Sequence, residues 1–133
     1  EAPLPRAVGG PEVLLVVDDE PAVLKMMVRG LTGLGYQVHA ACCGEDAAKL
    51  AKAYDGTLRL LLTDVMMPGE SGVELYRRLL PEHPGLKVLY ISGHADDVLG
   101  PQGVIDPGTP FVAKPFTIRT LNERIRAMLD QPA

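Results

Sequence analysis

Residues 14–25 read LLVVDDEPAVLK. An apolar run, Glu12 to Val17, leads straight into two adjacent carboxylates, Asp18 and Asp19, and Pro21 follows two positions later. The run is too short for a helix and apolar on both faces, which predicts a fully buried strand. Pro21 suits the first turn of a helix, with Asp19 as its N-cap. Leu24, Met27, Leu31 and Leu34 then recur at helical spacing, and Gly35 supplies a stop. The stretch is therefore strand, acidic turn, helix. Two carboxylates held about 4 Å apart repel by roughly 4 kcal/mol at an effective dielectric near 20, a cost that a nearby cation offsets.

The same alternation continues along the chain. Strands are expected over 36–40, 59–63, 86–91 and 110–113, and helices over 44–54 and 73–80. Ala47, Leu50, Ala51 and Tyr54 share one face of the first of these helices, and Pro81 stops the second. A last helix begins at a Thr117 N-cap and carries Ile118, Leu121, Ile125 and Met128 on its core side. Between His94 and Gly108 a short helix is expected, broken by Gly100 and Pro101. Strand and helix thus alternate five times, which argues for parallel βαβ units. The first, third and fourth strands are apolar on both faces, as central parallel strands must be. The expected fold is a three-layer α/β/α sandwich.

The 133 residues fit one domain. A domain of this size buries roughly two thirds of its unfolded surface, enough for a core without disulfides. Residues 1–11, rich in Pro, Gly and Ala, form a linker, and residues 12–131 form the domain. The absence of an initiator Met suggests a piece of a longer protein. A net charge of −4, from 13 basic and 17 acidic residues, argues against a nucleic-acid surface. No apolar run approaches the ~20 residues of a membrane span, and EAPLPRAVGGPE has neither a basic n-region nor an apolar h-region. No direct membrane contact is expected. Cys42 and Cys43 are adjacent and cannot staple a fold, so they are expected to be buried or half-buried thiols in a reducing cytoplasm. His39, His83 and His94 show no ligand spacing.

The polar residues at the carboxyl ends of the strands carry the chemistry. The first strand delivers Asp18 and Asp19, the third Asp64, the fourth Ser92 and the fifth Lys114. Open α/β sheets bind ligands outside those ends. Three clustered carboxylates raise one another's pKa, and a hard divalent cation relieves the strain. Mg²⁺ typically binds through one or two carboxylates plus a phosphate. A lysine and a hydroxyl suit phosphoryl oxygens, and an aspartate can accept a phosphoryl group.

Four ordered motifs now stand out: VVDDEP (16–21), LLTDVMMPGESGVEL (61–75), YISGHADD (90–97) and FVAKPF (111–116). Together they resemble the receiver domain of a two-component response regulator, over about residues 12 to 130. The resemblance implies a doubly wound, flavodoxin-like five-stranded parallel sheet of order 2-1-3-4-5. It implies Asp64 as phosphoacceptor and Asp18, Asp19, Asp64 and the Met66 carbonyl as Mg²⁺ ligands. It further implies Ser92 as switch hydroxyl, Phe111 as switch aromatic, Lys114 as phosphoryl contact and a Lys114–Pro115 bond that is often cis. Met66 departs from the family, which often carries a polar side chain there. Met67 and Pro68 are expected to pack the loop. The stretch 88–121 most resembles receivers near the C-termini of hybrid sensor histidine kinases. The partner implied is a histidine kinase or a histidine phosphotransfer domain, and the catalysis implied is self-phosphorylation and slow self-dephosphorylation.

Three rivals are weaker. A degenerate module that docks a kinase without being phosphorylated conflicts with the full set of key residues. An aspartate-nucleophile phosphohydrolase needs two acids spaced two apart after the first strand, which DDE lacks. A nucleotide-binding domain needs a Gly-rich loop after that strand, and none is present.

Overall fold

The computed structural model describes residues 10–54, 56–93 and 110–130. The helix expected between 94 and 108, and His94 with it, lie outside the described residues. Among the described residues there are five strands: β1 (Val13–Val17), β2 (Gln37–Ala41), β3 (Leu58–Asp64), β4 (Lys87–Ser92) and β5 (Phe111–Ala113). Four described helices accompany them: α1 (Pro21–Gly33), α2 (Gly44–Ala53), α3 (Gly72–Leu79) and a C-terminal helix, α4 (Ile118–Leu129). The sheet is wholly parallel, in the order β2-β1-β3-β4-β5.

Side-chain alternation along β1 sorts the core into two layers. Val13, Leu15 and Val17 pack with Ala47 and Ala51 of α2 and Val73, Leu75 and Leu79 of α3. Leu14 and Val16 pack with Met27 and Leu31 of α1 and Leu121, Ile125 and Leu129 of α4. Successive strand residues point to opposite faces, so helices cover both sides of the sheet. The doubly wound sandwich is thereby formed. The central strand β1 is buried throughout, whereas β2 at the edge is partly exposed.

Element ends differ from expectation by one or two residues, the usual margin. One difference is physical. The N-cap of α1 is Glu20, not Asp19. Asp18 Oδ1 already accepts the Glu20 amide at 2.8 Å, which fixes the turn and starts the helix one residue later. Pro21 follows in the first turn, as expected. On α4 the Thr117 cap is present, its side chain accepting the Thr120 amide. Its buried face is Leu121, Asn122, Ile125 and Leu129, with Ile118 and Met128 only partly buried. Asn122 is inside because its Oδ1 accepts the Tyr36 hydroxyl at 2.6 Å. Met67 packs into the core, but Pro68 is exposed. Cys43 is half-buried, while Cys42 is exposed rather than sheltered. The Lys114–Pro115 bond is cis.

Candidate functional site

Parallel pairing brings the strand ends to one edge. Val17 of β1 lies beside Thr63 of β3, so Asp18 and Asp64 are the next residues on adjacent strands. Asp64 lies beside Ile91, one position before Ser92. Ser92 pairs with Ala113, and the Lys114 amide donates to the Ser92 carbonyl at 2.8 Å.

Asp18, Asp19 and Asp64 each offer a carboxylate oxygen, and these oxygens lie within 4.8 Å of one another. Asp18 is 0% exposed and Asp64 7%. Asp19 is exposed. Lys114 counters them. Its Nζ lies 3.1 Å from Asp64 Oδ2, 3.3 Å from Asp18 Oδ2 and 2.7 Å from Glu20 Oε1. Asp64 Oδ1 also accepts the Met66 amide at 3.2 Å. The buried Asp18 Oδ2 faces the Lys114 ammonium at 3.3 Å and has no hydrogen bond among the described residues.

Burial pushes the Asp18 carboxyl above its ordinary value, against the Glu20 amide and the Lys114 charge; the Asp64 charge adds to the rise. Burial likewise raises Asp64, against Lys114 and the Met66 amide, with the Asp19 charge adding. Burial works against the Lys114 ammonium, yet its hydrogen bonds to Glu20 and Asp64 and the charges of Asp18 and Asp64 hold its pKa far above the ordinary value. The pocket is thus over-supplied with negative charge that one lysine does not fully neutralise.

A stability prediction follows from those directions. A carboxylate raised in the fold binds its proton more tightly folded than unfolded. Its stabilising contribution is fully present below the unfolded value, 3.8, and is lost as pH rises through the folded value. Asp18→Asn or Asp64→Asn should therefore raise the metal-free melting temperature at neutral pH, or leave it unchanged. The gain over wild type should shrink as pH falls toward 4. Thermal melts in a chelator across that range check it; a large loss at neutral pH contradicts it.

The structure brings together Asp18, Asp19, Asp64 and Lys114, with Ser92 buried at the neighbouring strand end. Met66 is 52% exposed, and its backbone amide donates to Asp64. Phe111 sits elsewhere. It opens β5, pairs with Tyr90 and packs partly buried against the α2–α3 layer.

Two features escaped the sequence reading. Glu20, the third acid of DDE, makes the shortest of the Lys114 contacts. Ser71 and Glu74 form a capping box on α3, signalled by the spacing S-x-x-E. That cap starts α3 at Gly72, whose amide donates to the Val65 carbonyl at 2.9 Å. A Cβ on Gly72 would meet the Asp64 carbonyl oxygen at 2.3 Å, so only glycine lets α3 pack this close behind Asp64.

The family profile for the response regulator receiver domain matches residues 14–126. The chain belongs to the receiver family. The receiver is 34% identical over 122 residues to the sensor kinase CckA of Brucella abortus (strain 2308), covering 92% of this chain but only 13% of that kinase. It is 31% identical over 116 residues to the response regulator receiver protein CpdR of the same strain, covering 87% of this chain and 95% of CpdR. Among solved structures it resembles the receiver domain of the hybrid histidine kinase CckA, with a TM-score of 0.75 and 35% identity, over 88% of this chain and 98% of that one. This receiver is accordingly a module of two-component signalling. Among the described residues no helix is long and apolar enough to cross a membrane.

Proposed function

We propose that the receiver takes a phosphoryl group onto Asp64 from a phosphohistidine and shifts conformation in response. The observation that carries this reading is the clustering of three carboxylates against one lysine at the sheet's carboxyl edge. Asp18, Asp19, Asp64 and the Met66 carbonyl would hold Mg²⁺, which supplies positive charge to the phosphoryl oxygens. The buried Asp18 Oδ2, which has no hydrogen bond among the described residues, fits that role.

In the step itself, a carboxylate oxygen of Asp64 attacks phosphorus. The P–O bond forms as the P–N bond to the donor imidazole breaks, and that nitrogen keeps the electron pair and takes a proton from solvent. The Met66 amide fixes the Asp64 carboxylate in place. Lys114 turns from its carboxylates to the incoming phosphoryl oxygens, and the Ser92 hydroxyl donates to another. Because Lys114 and Ser92 are joined by a backbone hydrogen bond, recruiting both tightens the ends of β4 and β5 together. This biases a two-state equilibrium, with Phe111, paired to Tyr90, as the aromatic that follows.

The donor is a histidine kinase or a histidine phosphotransfer domain in the cytoplasm, and the parent protein is a hybrid sensor kinase. Likeness to the CckA kinase and to its receiver structure supports this reading. Intact mass after incubation with Mg²⁺ and a small-molecule phosphodonor tests the uptake. One added phosphoryl group is expected, absent without Mg²⁺ and absent in Asp64→Asn. No adduct at any time, with Mg²⁺ binding intact, would reduce the domain to a docking module.

A further inference from the structure

A second group of ligand-forming side chains lies outside the acidic pocket. Cys42 and Cys43 follow the last residue of β2 and precede α2, for which Cys43 is an N-cap without a side-chain hydrogen bond. Asp46 lies in the first turn of that helix, with Oδ2 4.0 Å from Cys42 Sγ. The two sulfurs and one Asp46 oxygen all lie within 4.8 Å of one another. Neighbouring side chains on a strand point apart. Here the strand has ended, and the turn into α2 brings both thiols to one side.

We propose that Cys42, Cys43 and Asp46 form a surface site for a thiophilic divalent cation of the Zn²⁺ class, separate from the acidic pocket. Two thiolates and a carboxylate are zinc donors. Zn–S bonds of about 2.3 Å put two sulfurs about 3.8 Å apart in a tetrahedron, which small side-chain rotations reach from the observed spacing. Cys42 and Asp46 are exposed, so the fourth position faces solvent. Each thiol that binds releases its proton to solvent. The turn is held still from below. Arg78 donates to the Gly44 carbonyl at 2.9 Å and lies 3.2 Å from Glu70. The donor sets sort the two cations: hard Mg²⁺ prefers the all-oxygen pocket, and a softer ion prefers the sulfurs.

Cobalt(II) is the probe, added to the reduced 133-residue chain with Mg²⁺ in large excess. We expect a thiolate-to-cobalt absorption band saturating at one ion per chain and displaced by Zn²⁺. Cys42→Ser and Cys43→Ser should each weaken binding at least about tenfold, the loss seen even for an outer-shell partner. Asp64→Asn should leave band and affinity unchanged. Circular dichroism confirms that the serine variants fold. No band, a band that persists in the double serine variant, or one ion shared by two chains would each overturn the site.

Discussion

Lys114→Met is expected to lower metal-free stability by about 3 kcal/mol and to slow phosphoryl uptake at least about a hundredfold. The first effect follows from burial. Asp18 and Asp64 are nearly or wholly buried, and Lys114 Nζ is within 3.3 Å of both. Removing one member of a buried ionic group leaves uncompensated charge, which costs more than the pair was worth. Methionine keeps the length and apolar stem of lysine, so lost packing contributes little. The second effect follows from where charge develops, because a preorganised cation at a transferring phosphoryl group is worth far more than one in water. Adding Asp18→Asn to Lys114→Met should recover part of the lost stability, since one orphaned carboxylate is then gone. Urea unfolding in a chelator and mass-detected uptake rates check both. Unchanged stability and rate would show that the contacts at 3.1 and 3.3 Å carry no energy.

Magnesium should act in the opposite direction. A cation that binds only the folded chain stabilises it by about 2.7 kcal/mol at a hundred times its dissociation constant. For a domain of this size that is a rise of roughly 10 °C in melting temperature. The gain should vanish in Asp18→Asn, which removes the charge of a fully buried carboxylate in the proposed Mg²⁺ site. It should also fade as pH drops, because the raised carboxyls of Asp18 and Asp64 take up protons before ordinary aspartates do. Acidification therefore moves the two forms toward each other, with the metal-free form gaining while the Mg²⁺ form loses its advantage. Melts with and without Mg²⁺ across pH 4 to 7 show this convergence. A metal-independent melting temperature at neutral pH contradicts the acidic pocket as a cation site.

Much of this architecture is legible in the sequence because parallel strands leave strong marks. β1, β3 and β4 carry apolar side chains on both faces; β3 and β4 end in a polar residue of the pocket, and Asp18 directly follows β1. The convergence of Asp18, Asp64, Ser92 and Lys114 follows from parallel pairing alone, once each is placed at a carboxyl end. The cap of α1 was not legible. Asp19 has the composition of an N-cap, but the choice between Asp18, Asp19 and Glu20 depends on which carboxylate turns back to an amide. The role of Glu20 was hidden for the same reason, since its Lys114 partner comes from the far end of the sheet. On α4, helical spacing marks Met128 as core, but Leu129 is buried and Met128 only partly so. The close approach at Gly72 was hidden too, because only the packed fold reveals what a Cβ there would strike.

The most direct test of the central claim is to locate the phosphoryl group chemically. The chain, treated with Mg²⁺ and a phosphodonor, is reduced with borohydride, which converts an aspartyl phosphate to homoserine, and the digested peptides are sequenced by mass spectrometry. Homoserine at position 64, dependent on both Mg²⁺ and donor, is the predicted result. Homoserine at Asp18 or Asp19, or phosphate retained on a serine or histidine, would contradict the assignment of Asp64 as acceptor.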